Sequence, residues 1–194
     1  MTDIKSVCVF CGAASKIDQK YHDLARATGT LIGQRGWTLV YGGSRTGTMG
    51  TVADGALAAG ARVVGYIPSH LEERELQHTG ITECYVVESM HVRKQGMVDA
   101  SDAFIILPGG FGTLDEFFEN LTWRQIGIHD KPIVIVNFEG FWQPLIDLIH
   151  HLHRTGFIKD NNLDLFQVVD QIDDIPDALA RAADVRFDPS TKWL

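Results

Sequence analysis

Short runs of β-branched and other apolar residues recur along this chain, and almost every one is followed by a stretch with helical spacing. SVCVFCG (6–12) reads as a strand ending in glycine, and residues 18–36 as a helix with helical spacing at Tyr21, Leu24, Ala25, Leu31 and Ile32 that closes at Gly36. WTLVYGG (37–43), RVVGYIP (62–68), CYVVES (84–89), AFIILPGG (103–110), KPIVIVNF (131–138) and FQVVD (166–170) read as further strands. Helices are expected at 47–60, 90–102, 113–128, 141–157 and 175–183, and a surface loop at 69–83. Strands that alternate with helices are joined by right-handed crossovers into a mostly parallel sheet. CVF and AFIIL are nearly continuous apolar runs, which suits strands covered on both faces.

A chain of 194 residues fills one domain, expected over 1–194, and hardly two. No run of about 18 apolar residues appears, so no transmembrane span is expected. MTDIKSVCVF lacks the layout of a signal peptide, which sets a cytoplasmic expectation. The formal net charge of -8 argues against general nucleic-acid binding, which depends on basic surfaces. CVFC matches a C-x-x-C metal or redox spacing, but residues three apart on a strand face opposite sides. Cys8 and Cys11 are therefore expected as core residues, and with Cys84 as reduced thiols.

In parallel sheets of this kind, ligands bind outside the carboxyl ends of the strands. Gly12–Ser15, Gly42–Gly50 and Pro108–Glu116 are the turns at those ends. Gly109, Gly110 and Gly112 follow a strand and open a helix, so bare backbone N–H groups can approach a ligand. The first N–H groups of a helix are unpaired and its dipole is positive there, which makes an anion site. Thr113 adds a hydroxyl. YGGSRTGTMG (41–50) has the same strand–glycine–helix context. Neither loop is a G-x-x-x-x-G-K-[ST] phosphate loop, and no G-x-G-x-x-G follows the first strand. The expected ligand is a monophosphate or another small anion, not a triphosphate with magnesium.

Charged groups crowd the Pro108–Glu116 turn. Helical spacing puts Met90, Lys94 and Met97 near one face, with Arg93 on its flank. Asp115 and Glu116 read as first-turn residues, where the helix dipole favours acids. A glutamate there can alternatively face the sugar of a nucleotide whose phosphate sits on the backbone donors. Glu119 reads as exposed. His150, His151 and His153 do not share a helix face as an i, i+4 metal pair would, so a polar surface is expected and no metal.

The segment MHVRKQGMVDASDAFIILPGGFGTLDEFFENLTWRQIGIHDKPIVIVN (90–137) closely resembles the LOG family of cytokinin riboside 5′-monophosphate phosphoribohydrolases. The two marks are Arg93-Lys94 and the P-G-G-x-G-T-x-x-E run of Pro108, Gly109, Gly110, Gly112, Thr113 and Glu116, and the likeness extends from 6 to about 158. It implies a Rossmann-like three-layer α/β sandwich with a mostly parallel sheet, and a homodimer or higher homo-oligomer. It implies hydrolysis of the N-glycosidic bond of AMP or an N6-substituted AMP, without metal or organic cofactor. By the same likeness Arg93 and Glu116 are the expected catalytic pair. Glu75, Lys94, the turn Gly109, Gly110, Phe111, Gly112, Thr113, Leu114, Asp115, and Thr122 fall on substrate-binding positions, and Gly43 and Ser44 of the second loop are added to them. The alternative is a non-catalytic carrier of a nucleotide or nucleotide-bearing cofactor. Two departures stand out: Gly12-Ala13-Ala14 where the family has Gly-Ser-Ser, and GGSRTGTMG with its extra cation Arg45.

Overall fold

The computed structural model describes residues 4–72 and 76–184. In chain order the elements are β1 (Ser6–Phe10), α1 (Gln19–Gln34), β2 (Thr38–Tyr41), α2 (Gly47–Ala58), β3 (Val63–Pro68), α3 (Ser69–Glu72) and β4 (Glu83–Val87). Then follow α4 (Met90–Asp99), β5 (Ala103–Ile106), α5 (Phe111–Gln125), β6 (Ile133–Val136), α6 (Gln143–Arg154), β7 (Gln167–Val169) and α7 (Ile175–Asp184). The expected strands are all present. The short helix α3 replaces the first part of the loop expected at 69–83, and α5 begins two residues earlier than its spacing predicts.

The seven strands form one sheet in the order β4-β3-β2-β1-β5-β6-β7, and every pairing is parallel. The chain builds outward from β1 to β4, then crosses back to place β5 on the other flank of β1. That reversal opens the sheet edge between β1 and β5, where crossover helices leave on opposite faces.

Alternate residues of the strands feed two cores, which makes the expected three-layer sandwich. Val7, Val9 and Cys11 face α1, α2 and α7, while Cys8 and Phe10 face α4, α5 and α6. The two cysteines thus lie buried on opposite faces of β1, as the period of a strand requires. The central strands β5 and β6 are buried along their whole length, which explains their unbroken apolar sequence.

Two packing devices hold the helices beside the sheet edge. At Gly29 of α1 an added Cβ would lie 2.2 Å from the carbonyl oxygen of Val52 in α2, so the two helices touch backbone to backbone. Arg124 near the end of α5 is only 2 % exposed and donates to the carbonyls of Leu165 (2.8 Å) and Ala182 (2.9 Å). It anchors α5 to the 3-10 turn before β7 and to α7.

Gly29→Ala is expected to lower the unfolding free energy by about 2 kcal/mol, because backbone on α2 cannot move aside as a flexible side chain could. Urea titration of the variant checks this.

Candidate active site

A cleft of about 640 Å³ lies along the carboxyl ends of β3, β2, β1, β5 and the turn after β6. Its centre is lined by Gly12, Gly109, Gly110, Gly112, Thr113 and Glu116, and its floor by Arg93. Toward β2 and β3 the walls are Met49, Ile67, Leu71 and Leu76, and toward β6 they are Ile17, Tyr21, Phe111 and Phe141.

Helix α4 delivers Arg93. Ser89 caps it by accepting from the N–H of Val92 (3.2 Å), and the buried face carries Arg93, Met97 and Val98. Met90 is exposed, so the buried stripe runs through Arg93 rather than through Met90 and Lys94. The Arg93 guanidinium donates to the Tyr66 carbonyl (3.1 Å) and to Glu116 Oε1 (3.1 Å). It passes under Gly42, where a Cβ would lie 1.8 Å from Nη2. Both partners of the ion pair have side chains only 9 % exposed.

Helix α5 delivers Glu116. The helix starts at Phe111, with Gly110 as its cap, so no acid stands in its first turn. Glu116 is therefore beyond the residues that cap the helix dipole, and its burial in the cleft floor needs another cause. Burial pushes its carboxyl up from 4.5 to about 7, against the pull of Arg93. Asn120 donates to the Glu116 carbonyl at 2.8 Å and fixes this turn of helix.

The two glycine loops, alike in sequence, differ in what they offer. At α2 the first N–H groups are already taken: Gly47 by Ser15 Oγ (3.2 Å), Thr48 (3.0 Å) and Met49 (3.3 Å) by the Gly12 carbonyl. At α5 the glycine cap has no side chain to reach them, and the first turn closes only at Leu114 N–H on the Gly110 carbonyl (3.1 Å). The N–H groups of Phe111, Gly112 and Thr113 meet no protein acceptor among the described residues. The Thr113 hydroxyl is buried in the same place without a partner. An anion fits at α5, whereas the N–H groups from Arg45 to Gly50 at the start of α2 are spent within the protein. The Gly42–Gly50 loop contributes Ser44 and Thr46, joined at 2.8 Å through their hydroxyls. Gly43 sits behind the wall at a positive φ of 73 and accepts from the His78 N–H.

The departures at the rim also resolve. Ala13 and Ala14 line the cleft, and Ser15 serves as a cap for α2. Arg45 is exposed and lies between the two cleft-lining residues Ser44 and Thr46 without lining the cleft itself.

Lys94, Leu114, Asp115 and Thr122 are not among the residues that line this cleft. Lys94 bridges Asp115 (3.0 Å) and Glu119 (3.0 Å). Leu114, Asp115 and Thr122 line a separate hollow of about 370 Å³, with Phe118, Glu119 and Trp123, along the outer side of α5. Glu119 is half-buried rather than exposed. Glu75 lies outside the described residues. Sequence spacing groups Tyr21 with Leu24, Ala25, Leu31 and Ile32 and says nothing of the cleft, where its ring joins Phe141 edge-on (5.5 Å) in the wall. No motif announces that wall, because its members come from the start of α1 and the turn after β6.

Other chemistries lack their groups here. Burial pushes the Cys11 thiol up to about 12, so it is no nucleophile near neutral pH. No cluster of His, Cys, Asp and Glu among the described residues could hold a metal, and His150 and His151 are exposed on α6.

With this geometry in view, the relatives are informative. Residues 49–179 match a protein-family model described as "Possible lysine decarboxylase". The cytokinin riboside 5′-monophosphate phosphoribohydrolase of Rhodococcoides fascians is 49% identical over 155 residues, covering 79% of this chain and 78% of its own. Its counterpart LOG1 of Arabidopsis thaliana is 43% identical over 155 residues, covering 80% and 73%. The chain belongs to the LOG family.

Solved structures share the fold. A molybdenum cofactor binding protein from Rippkaea orientalis superposes with a TM-score of 0.71 at 20% identity, covering 93% of this chain and 98% of the other. The molybdenum cofactor carrier protein of Chlamydomonas reinhardtii gives 0.69 at 17%, with the same coverage. These likenesses establish the architecture alone. The decarboxylase wording of the family model finds no support in the cleft of this LOG chain. A pyridoxal phosphate enzyme needs a lysine for its Schiff base, and among the described residues no lysine lines the cleft. Lys94 is held by two carboxylates on the other side of α5.

The raised Glu116 carboxyl makes stability depend on pH. The folded protein keeps this proton to about 7, whereas an unfolded chain releases it near 4.5. Folded protein therefore binds more protons across that window, and the unfolding free energy falls as pH rises through it. The Glu116 share of that fall is expected to be about 3 kcal/mol. Urea titrations between pH about 5 and about 8 check this, with Glu116→Gln losing that share of the dependence.

Proposed function

We propose that this LOG-family chain is a nucleoside 5′-monophosphate phosphoribohydrolase, releasing a free base (a cytokinin or adenine) and ribose 5-phosphate. The observation that carries the reading is one cleft that joins an uncapped helix start to a buried Arg93–Glu116 pair. The names of its relatives agree with it.

The 5′-phosphate takes the N–H groups of Phe111, Gly112 and Thr113 and the Thr113 hydroxyl. The ribose then lies over Glu116, one helical turn further on, and the base extends past Arg93 toward Met49, Ile67, Leu71 and Leu76. Breaking the bond between C1′ and the base nitrogen sends its electron pair to the base and leaves an oxocarbenium-like ribose. The ionised Glu116 carboxylate stabilises that cation and orients the attacking water. Water adds its oxygen to C1′, and a proton ends on the base. Arg93 holds the carboxylate through its 3.1 Å hydrogen bond and presents a positive charge to the departing base. Dry walls strengthen both effects, since charges interact more strongly away from water. Cys8, Cys11 and Cys84 form no disulfide, which suits a reducing cytoplasm.

Incubation with AMP and an N6-substituted AMP is expected to release free base, read by chromatography. Glu116→Gln keeps shape and removes the charge, so kcat/KM is expected to fall about 1,000-fold. Absence of release from either nucleotide, or unchanged release by the variant, overturns the reading. Tight binding of intact nucleotide without turnover would identify a carrier instead.

We further propose that two copies associate through the outer side of α5. Phe118, Ile126 and Ile128 are exposed there, beside the hollow that holds Asp115 and Thr122. Exposed apolar side chains gathered on one face suit a protein–protein contact. Lys94, Asp115 and Thr122 then act at or beside that interface, which accounts for their distance from the cleft of their own chain. Light scattering is expected to give a dimer or a multiple of it, and Phe118→Glu to give monomers.

A further inference from the structure

The anion site stands in the middle of the cleft, with an apolar lobe on either side. Along the sheet edge, Met49, Ile67, Leu71 and Leu76 lie at β2 and β3, the start of α5 follows β5, and Phe141 follows β6. Parallel strands are about 4.8 Å apart, so the lined edge from β3 to β6 spans four spacings. Arg93 is on the β2–β3 side: it bonds the Tyr66 carbonyl of β3 and passes under Gly42 after β2. A nucleotide with its phosphate at α5, its ribose at Glu116 and its base beside Arg93 fills the centre and that lobe. The lobe at β6, formed by Ile17, Tyr21, Phe111 and Phe141, lies beyond the phosphate and meets no part of a monophosphate.

We infer that this second lobe takes an aromatic group esterified to the 5′-phosphate, so that the cleft accepts nucleoside 5′-phosphodiesters as well as monophosphates. The inference rests on the hydrolase reading for the positions of phosphate and ribose. A diester keeps two free phosphate oxygens for the N–H groups of Phe111, Gly112 and Thr113, and its third oxygen leads the substituent toward β6. The four lobe residues carry no formal charge, which disfavours a bare phosphate's water shell and suits a ring. Tyr21 and Phe141 meet edge-on, at 5.5 Å and 72°; Lys20 Nζ stands over one face of the Tyr21 ring at 5.3 Å, so a third ring meets the remaining surface of the pair. Phe111 is 92 % exposed inside the turn that binds the anion, a position where its ring closes over such a substituent. The Lys20–Glu139 pair (2.5 Å) ties the start of α1 to the turn that carries Phe141 and fixes this side of the lobe. Glu139 holds the positive φ of that turn. With a diester the reaction is unchanged: water adds across the C1′–N bond, the base takes the proton, and both P–O ester bonds survive. The products are free base and a ribose 5-phosphodiester.

The test compares AMP, N6-benzyl-AMP and adenosine 5′-(phenyl phosphate), by calorimetry for binding and by base release for turnover. The phenyl ester is expected to bind at least as tightly as AMP. Phe141→Ala and Phe111→Ala, both at solvent-reached side chains, are expected to lower the ester-to-AMP affinity ratio about tenfold each, the worth of one aromatic contact. The N6-benzyl-to-AMP ratio is expected to stay within about threefold. Weaker binding of the ester by more than about tenfold, or variants that lower the N6-benzyl ratio instead, overturns the inference and moves the base into the β6 lobe. Binding decides the lobe and base release decides the hydrolase reading, so either can fail without the other.

Discussion

A guanidinium and a carboxylate 3.1 Å apart in a dry floor set the terms for the rest of the site. Taking both charges out of water costs several kcal/mol, roughly offset only when other bonds hold the pair in place. Here the Tyr66 carbonyl takes a second guanidinium N–H, and the bare backbone of Gly42 leaves the room. The carboxylate still titrates near neutrality, since desolvation outweighs its partner. A glutamate so poised can be charged when a cation forms in front of it, without being fully quenched by Arg93.

Helix α5 joins this pair to the anion site. Its first turn supplies free N–H groups, its second turn supplies Glu116, and its far end is tied down by the buried Arg124. The free N–H groups and the Glu116 carboxyl are thereby held at a separation set by helical pitch rather than by loop conformation. The contrast with α2 is instructive. Both helices begin in glycine-rich turns at the same sheet edge, yet Ser15 and the Gly12 carbonyl occupy the α2 donors. A glycine loop becomes an anion site only where no neighbour has claimed its N–H groups.

Much of this was legible beforehand because the signals are local. Alternating apolar strands and amphipathic helices follow from side-chain periodicity, so the elements and the parallel sheet could be read, within a few residues at their ends. Arg93 and much of the Pro108–Glu116 run, both singled out by residue type, meet at one cleft, while Lys94 does not. The start of α5 was misjudged because glycine hides a helix start: Phe111 and Gly112 carry little helix propensity, and only their backbone angles include them. The aromatic wall was missed because Tyr21 and Phe141 are 120 positions apart and meet only across the sheet edge. The split of Lys94, Asp115 and Thr122 from the cleft was hidden for a related reason. Adjacent residues of a helix point about 100° apart, so Asp115 and Glu116 serve different surfaces.

The sequence by itself determined the order of elements, the two-sided burial of the sheet, and the reaction-bearing residue types near one strand end. Those depend on chain neighbours and on periods of two and 3.6 residues. Tertiary structure alone decided which of two glycine-flanked helix starts keeps its donors, how far Glu116 is desolvated, and that the cleft has an aromatic lobe on the β6 side of α5. Each of these depends on groups far apart in the chain, Ser15 with Gly47, Arg93 with Glu116, Tyr21 with Phe141, brought together only when the sheet assembles. Desolvation and hydrogen-bond competition are properties of that assembled space, and no local pattern encodes them.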